Sequence, residues 1–349
     1  MREMPAIIVS GLPGKRVDAQ RAGITMTAFM KASDHSLTRR LTIAVLLIFA
    51  FFVAFDRLYL LYAHKFFDIT GRAQWIWAQH QLSRNIPVAF FATHNFDLRP
   101  NRQFTRVKVA GDPEYTLYFN GTLVGGRRMG EEATLDVYDV SRLARDRGNR
   151  LVIAARSANG VGAVIASIDI ADDYKNVEPT GGAWNIVRAW HDDLLLRDPP
   201  PSSMTSPMLI GRPPIGRWNF LSSRTGDFAT PAHEVTAPRA AFRFKTAIPE
   251  IRDISGVPVV VPQPIAAVAY DFGGGIRGRV QFTSTYDNHI ARAIRVRFAN
   301  DRSELIAIEG PVEEFVFAAG EKTITDAEQR SFRYVMVYGG QATASVLHD

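Results

Sequence analysis

The chain has 349 residues, 46% hydrophobic content and a formal net charge of +6, enough for two ordinary domains plus an extension. Four of the six excess charges fall in residues 1–40, where Arg2, Lys15, Arg16, Arg21, Lys31, Arg39 and Arg40 face only Glu3, Asp18 and Asp34; the rest is near balance, which argues against a nucleic-acid-binding surface. The absence of cysteine excludes disulfides, thiol catalysis and cysteine-ligated zinc.

Residues 1–40 read as a basic tail. "RRLTIAVLLIFAFFVAF" then opens with Arg39-Arg40 and continues through Leu41–Phe55 without a charge. Those residues span about 22 Å as a helix, short of a bilayer core of roughly 30 Å. Counting on to Ala63 gives sufficient length if Asp56 and Arg57 lie at the far interface, which Tyr59 and Tyr62 also suit. Residues 41–64 are therefore expected to form a single transmembrane anchor. The alternatives are a cleaved secretory signal, for which no clear small-x-small cleavage site stands in the sequence, and a buried helix. Basic residues ahead of the span put the N-terminus in the cytoplasm and the bulk outside, a single-pass arrangement suited to a bacterial inner membrane with the bulk periplasmic.

From Arg72 onward the sequence reads as strands and turns. "AFFATHNFDL", "FTRVKVAG", "YTLYFNG", "ATLDVYDV", "NRLVIAARS" and "GAVIASIDI" are short β-rich runs separated by Asp-Pro, Asn-Gly and Gly-Gly signals, the pattern of a β-sandwich over 68–196. Tyr115, Leu117 and Phe119 alternate with polar positions and lead into Asn120-Gly121, a tight hairpin turn. "VSRLARDRG" is expected to make one helical turn, and Asp172-Asp173 a turn between strands. "RDPPPSSMTSPMLIGRPPIGRW" opens a Pro/Gly-rich connector, 197–255, packed against its neighbours because Met, Leu, Ile and Trp interleave. A second sandwich follows over 256–349, with Val280, Phe282, Ile294, Val296 and Phe298 alternating, as do Phe332, Tyr334, Met336 and Tyr338. The fold class is all-β: two jelly-roll-like β-sandwiches after one transmembrane helix.

These β regions resemble, in order, the N-terminal sandwich domains of bacterial α-L-rhamnosidases. "FTRVKVAGDPEYTLYFNGTLVGG" and "LDVYDVSRLARDRGNRLVIAARSANGVG" carry the likeness to the first, galactose-binding-like domain. "YDFGGGIRGRVQF", "IRVRFAND" and "RSFRYVMVYG" carry it for the second. The family's glutamine and asparagine after "DFG" are Gly274 and Gly275 here. The family's hydrolytic residues lie in a helical barrel that follows these sandwiches. This sequence has no long helical stretch to match one, so the resemblance implies no catalytic residue. It implies calcium only as a family property, since no full set of oxygen ligands is evident.

Carbohydrate binding needs aromatic faces for the apolar sides of sugars and polar side chains for their hydroxyls. Trp75 and Trp77, two apart and so on one face of a strand, are candidates, with Trp190. Arg212, Arg217 and Trp218 in "GRPPIGRW" suit a binding lip or an interdomain plug, and Arg127 and Arg128 end the Asn120-Gly121 hairpin. For each tryptophan a place in the core is the stronger reading. Asp192-Asp193 after His191 read as a polar turn, because adjacent carboxylates point apart. No histidine spacing suits zinc. The "DFGGG" glycines suit a strand bend. The expected function is a non-catalytic carbohydrate-binding or polysaccharide-assembly accessory protein. The alternatives are an envelope scaffold that contacts a protein partner without sugar affinity, and the anchored half of a split rhamnosidase.

Overall fold

A computed structural model describes residues 23–66, 72–78, 85–130, 133–171, 176–218, 222–229, 234–254, 257–307 and 310–348, with backbone alone for 23–36, 59–66, 249–254 and 257–260. The basic tail up to residue 22 and the Asp172-Asp173 turn lie outside the described residues. Helix α1 (Gly23–Phe66) runs for 44 residues. Within it Leu37–Leu58 has a mean hydropathy of 2.2 and none of it is buried, so it is long and apolar enough to cross a membrane. The chain divides into a first unit up to Tyr62 and a second from Ala63 onward.

The second unit is built from β1 (Trp75–Trp77), β2 (Val88–Phe96), β3 (Arg106–Asp112), β4 (Glu114–Phe119), β5 (Thr122–Arg128), β6 (Thr134–Asp139), β7 (Asn149–Ser157), β8 (Ala163–Asp169), β9 (Asn176–Val177), β10 (Asn185–Val187), β11 (Met204–Thr205), β12 (Met208–Gly211) and β13 (Ser222–Thr225). They continue with β14 (Glu234–Thr236), β15 (Ala240–Ile254), β16 (Val257–Ser284), β17 (Arg292–Ala299), β18 (Glu313–Phe317), β19 (Thr323–Thr325), β20 (Arg330–Tyr338) and β21 (Ala342–His348), with a short helix α2 (Arg302–Ile306) after β17. One sheet runs β12-β1-β8-β3-β6-β13, with β9 on β8. A second runs β11-β10-β2-β7-β4-β5. A third runs β14-β21-β16-β20-β17-β18, with β15 and β19 also on β16.

The first two sheets pack face to face. Val107 and Val109 from one meet Leu117, Phe119, Leu151 and Ile153 from the other in a closed core, the period-2 burial that alternating strands produce. The β4–β5 turn takes positive φ at both central residues, 50° at Asn120 and 85° at Gly121, as its sequence requires. The Asn120 amide donates to the Leu143 carbonyl at 2.8 Å, and its oxygen accepts the Arg150 N–H at 2.7 Å. Residues 141–143 form a turn rather than a helix.

The second sandwich is folded around β16. Up to Gly278 this strand pairs with β20; from Arg279 it pairs with β21, so a single strand serves both layers. The "DFGGG" glycines lie where its register slips between Asp271 and Ile276. β20 is buried on both faces: Phe332, Val335 and Val337 join the central core, while Tyr334, Met336 and Tyr338 pack under Ile248 and Leu305. The stretch expected to be a connector contains β11 to β15 and gives strands to all three sheets. β12, β13 and β14 pair with strands far along the chain, which no local pattern announces, whereas β15 pairs with its neighbour β16.

Candidate functional site

Two sets of contacts fix the sandwiches to one another. In the first, Arg156 of β7 donates to both carboxylate oxygens of Glu321 at 2.7 Å, and to the Val316 carbonyl at 2.9 Å. Burial pulls the Arg156 guanidinium down, but the Glu321 charge and hydrogen bonds outweigh it and hold the group above its ordinary value. In the second, Arg128 lies over the Phe315 ring at 4.0 Å, donates to Glu313 at 3.0 Å and forms an ion pair with Glu114 at 3.1 Å. Burial pushes the Glu114 carboxyl up despite Arg128. An apolar seam runs beside them, where Phe91, Val152 and Val187 meet Val316 and Ala318.

Above this seam opens a groove of about 660 Å³. Its walls come from five separate parts of the chain: the β4–β5 hairpin, Arg156 of β7, residues 224–229, the crossover of β16, and residues 321–329. Phe228 stands in it 51% exposed. The Phe228 ring rests edge-on against Tyr138 at 5.5 Å, and the backbone around it is tied to β5 by the Ala229 N–H to the Val124 carbonyl at 2.7 Å. A platform held this way loses little entropy when a ligand stacks on it.

Beneath Phe228 the carboxylate of Asp136 is fully closed to solvent. It accepts from Arg224 Nε at 2.5 Å, from Arg127 at 3.4 Å, and from the Tyr115 hydroxyl. Arg224 reaches onward to Asp227 at 3.1 Å. Three donors answer the cost of burying that charge, and they aim two guanidinium groups at the groove. Burial raises the Tyr115 phenol well above its usual value, helped by Tyr138 and Asp136, and pushes Tyr138 up to about 12.

Of the residues singled out from sequence, Arg127 lines the groove. Trp75 and Trp77 are 0% and 1% exposed, so neither can stack on a sugar, which corrects the expectation for both. They do not share a core either: the register slips between Trp75 and Ile76, and Trp75 joins one cluster and Trp77 another. A slip of this kind breaks the period-2 rule. Trp77 donates from Nε1 to the Gly160 carbonyl at 3.0 Å. Trp190 is half-buried in the seam against Phe91, its backbone N–H on the Ala319 carbonyl at 2.7 Å. Arg128 is taken up by the seam. Trp218 stacks on Trp75 at 4.8 Å and donates to Asp112 at 2.8 Å, with Arg217 on the same carboxylate. These contacts make the "GRPPIGRW" segment a plug on the first sandwich; Arg212 in it is exposed. His191, Asp192 and Asp193 are exposed, and no group of three or more metal-binding side chains occurs among the described residues.

No protein-family model matches the sequence, and no curated protein matches it. Among solved structures, the GH78 family rhamnosidase of Bacillus sp. GL1 aligns at 11% identity and a TM-score of 0.48, over 80% of this chain and 54% of that one. The α-L-rhamnosidase from Dictyoglumus thermophilum aligns at 17% identity and 0.44, over 79% of this chain and 35% of that one. The Pleurotus ostreatus lectin in complex with GalNAc aligns at 13% identity and 0.35, over 80% of this chain and 76% of that one. The chain thus spans about half or less of the length of these rhamnosidases.

Proposed function

We propose that this chain is a membrane-anchored, non-catalytic carbohydrate-binding protein, and that the groove between its sandwiches is the binding site. The observation that carries this reading is Phe228, a half-exposed aromatic ring set among guanidinium and carboxylate groups. An aromatic face takes the apolar C–H side of a pyranose, and flanking donors and acceptors take its hydroxyls. The groove falls within the ~300–1,000 Å³ typical of small-ligand sites. Its charges are mixed: Arg127, Arg156, Arg224, Arg277 and Arg279 against Asp227, Glu321, Asp326 and Glu328. Alternating fixed donors and acceptors suit a neutral polyhydroxylated ligand better than a polyanion.

Non-catalytic action is supported by how these carboxylates are engaged. Glycoside hydrolysis needs two carboxyl groups facing the scissile bond, one able to give a proton. Glu321 is bound through both oxygens by Arg156, Asp326 by Arg330 at 2.5 Å, and Glu328 by Arg330 at 3.3 Å. We place α1 in a bacterial inner membrane with the sandwiches periplasmic, on the basic residues ahead of it. Neither calcium nor any other cofactor is part of this reading.

The test is a glycan array probed with the detergent-solubilised full chain, followed by titration of the best ligand. Phe228→Ala is expected to weaken binding about fivefold to tenfold, the equivalent of losing about 1 kcal/mol of stacking, with Tm unchanged. A folded chain that binds no glycan, or an F228A variant that binds as tightly as the parent, would overturn the reading.

A further inference from the structure

β15 and β16 continue past the sandwich that they belong to. The last pair that β16 makes with β20 in this direction is Ala267 with Tyr338. Beyond it, Lys245↔Ala266 through Ile254↔Val257 are paired by β15 and β16 alone. Ile248 anchors the base of this arm among Phe244, Ile265 and Leu305. From Pro249↔Pro262 outward, six further pairs run about 20 Å. A two-stranded ribbon is marginal in water without something to cover a face.

Its sequence limits what can cover it. Val257–Tyr270 contains no charged residue and four consecutive positions, 258–261, read Pro-Val-Val-Val. Pro258, Pro262 and Pro264 face Asp253, Pro249 and Ala247. Proline has no N–H to give to a partner strand, so these pairs are the ones whose N–H groups point away from the ladder. Along the outer edge of β16, position 260 is then the one non-proline among 258, 260, 262 and 264. An edge left with that single donor is a poor template for an added strand. The same edge leaves water cheaply, because unpaired N–H groups are what an apolar medium penalises most. At the foot of the arm, Arg243 and Lys245 are exposed and rim a groove of about 490 Å³ floored by Ala267 and Val268. Over residues 239–270, Arg239, Arg243, Lys245 and Arg252 outnumber Glu250 and Asp253 by two.

We propose that the β15–β16 arm docks on an anionic lipid surface, its uncharged strand in the headgroup–acyl boundary and Arg243 and Lys245 on the headgroups. An uncharged β16 strand with Arg243 and Lys245 at the foot of the arm matches an anionic bilayer, and an anchored α1 would keep the β unit tethered to one.

The absence of cysteine allows a single-site probe. Full chain carrying Val260→Cys, labelled with an environment-sensitive fluorophore, is mixed with vesicles of phosphatidylcholine and phosphatidylglycerol that contain brominated lipid; Ser203→Cys, exposed on the first sandwich, is the reference. The expected result is a blue shift and lipid quenching at 260 and neither at 203. Adding Val259→Asp and Val261→Asp should bring the quenching at 260 down to the level at 203, and Arg243→Glu with Lys245→Glu should abolish its dependence on phosphatidylglycerol. Flotation reports anchoring by α1 separately, and quenching is read whether or not the chain floats. A blue shift without lipid quenching means that protein covers the arm and overturns the proposal, as does quenching that ignores the aspartates or the charge reversal.

Discussion

Arg156 and Glu321 have side-chain exposures of 7% and 8% and join the two sandwiches by a bidentate ion pair. A buried pair contributes less than its Coulomb energy suggests, but removing one partner strands the other charge. Arg156→Met is therefore expected to cost about 3–5 kcal/mol in urea unfolding. The double variant Arg156→Met/Glu321→Leu should recover part of that loss, and a single variant costing under about 1 kcal/mol would mean that water reaches the pair. The buried phenols make a second prediction. Tyr138 titrates near 12 when folded and near 10 when unfolded, and Tyr115 is shifted the same way. Above pH 10 the unfolded chain gives up these protons and the folded chain holds them, so stability falls as pH rises from 10 towards 12. Tyr138→Phe should flatten that decline in urea midpoints measured across the range; an unchanged slope would show that Tyr138 ionises freely in the fold. The residues of the groove were poorly legible in the sequence. Tryptophan count drew attention to Trp75 and Trp77, which burial removes, while Phe228 sits in "TGDFATP" as a lone aromatic among polar residues. That local contrast was its one signal; Arg224, Arg277 and Thr323 are brought beside it only by tertiary structure.

Among the elements, the strands were legible where one face is buried. Alternation marked Leu117, Phe119, Val280 and Phe282, and Asn120-Gly121 marked the hairpin, because local chemistry fixes both. β12 and β13 were not legible, since their partners lie up to 136 positions away, as with Trp75↔Gly211 in one case and Ser222↔Thr134 in another; β15 pairs with the adjacent β16, but Pro249, Pro258, Pro262 and Pro264 interrupt the strand pattern. The β20 alternation was half legible: its second face is also covered, by β15 and α2, which no period reveals. The crossover of β16 gives a test at this scale. A Cβ on Gly278 would lie 2.5 Å from the Leu347 carbonyl oxygen, and one on Gly273, where φ is +85°, would lie 2.4 Å from Arg239. A Cβ on Gly274 would meet nothing within 4 Å. Gly278→Ala should cost about 1–3 kcal/mol, because backbone must move. Gly273→Ala should cost about 1 kcal/mol, since the Arg239 side chain can swing aside and backbone strain remains. Gly274→Ala should stay within about 0.5 kcal/mol of the parent. Equal losses at 274 and 278, read from thermal melts, would contradict the crossover geometry.

At the scale of the whole molecule, the apolar helix and the β unit follow different physical rules. The unit from Ala63 onward closes its own cores, with Trp77, Phe119, Phe282 and Val335 all at 1% exposure or less. α1 leaves Phe49, Phe51 and Phe52 at 64–67% exposure, a surface that water does not tolerate over 22 residues. Lipid supplies the missing cover if α1 is an anchor. Phe49→Arg with Phe52→Arg would then place two charges in mid-bilayer at about 2.5–3.5 kcal/mol each. That variant should be released by alkaline extraction of membranes, whereas the parent stays and floats with lipid. Thermal melts of the released variant should match the parent for the β unit, because its cores do not depend on those phenylalanines. An N-terminus found by mass spectrometry beyond residue 58 in the parent would instead identify α1 as a removed signal and leave the sandwiches free of the membrane. The glycan groove survives that outcome, since every residue that lines it belongs to the β unit. Flotation that persists after such removal would place the remaining membrane affinity on the β unit, where the β15–β16 arm, with its uncharged β16 strand, is argued above to meet lipid.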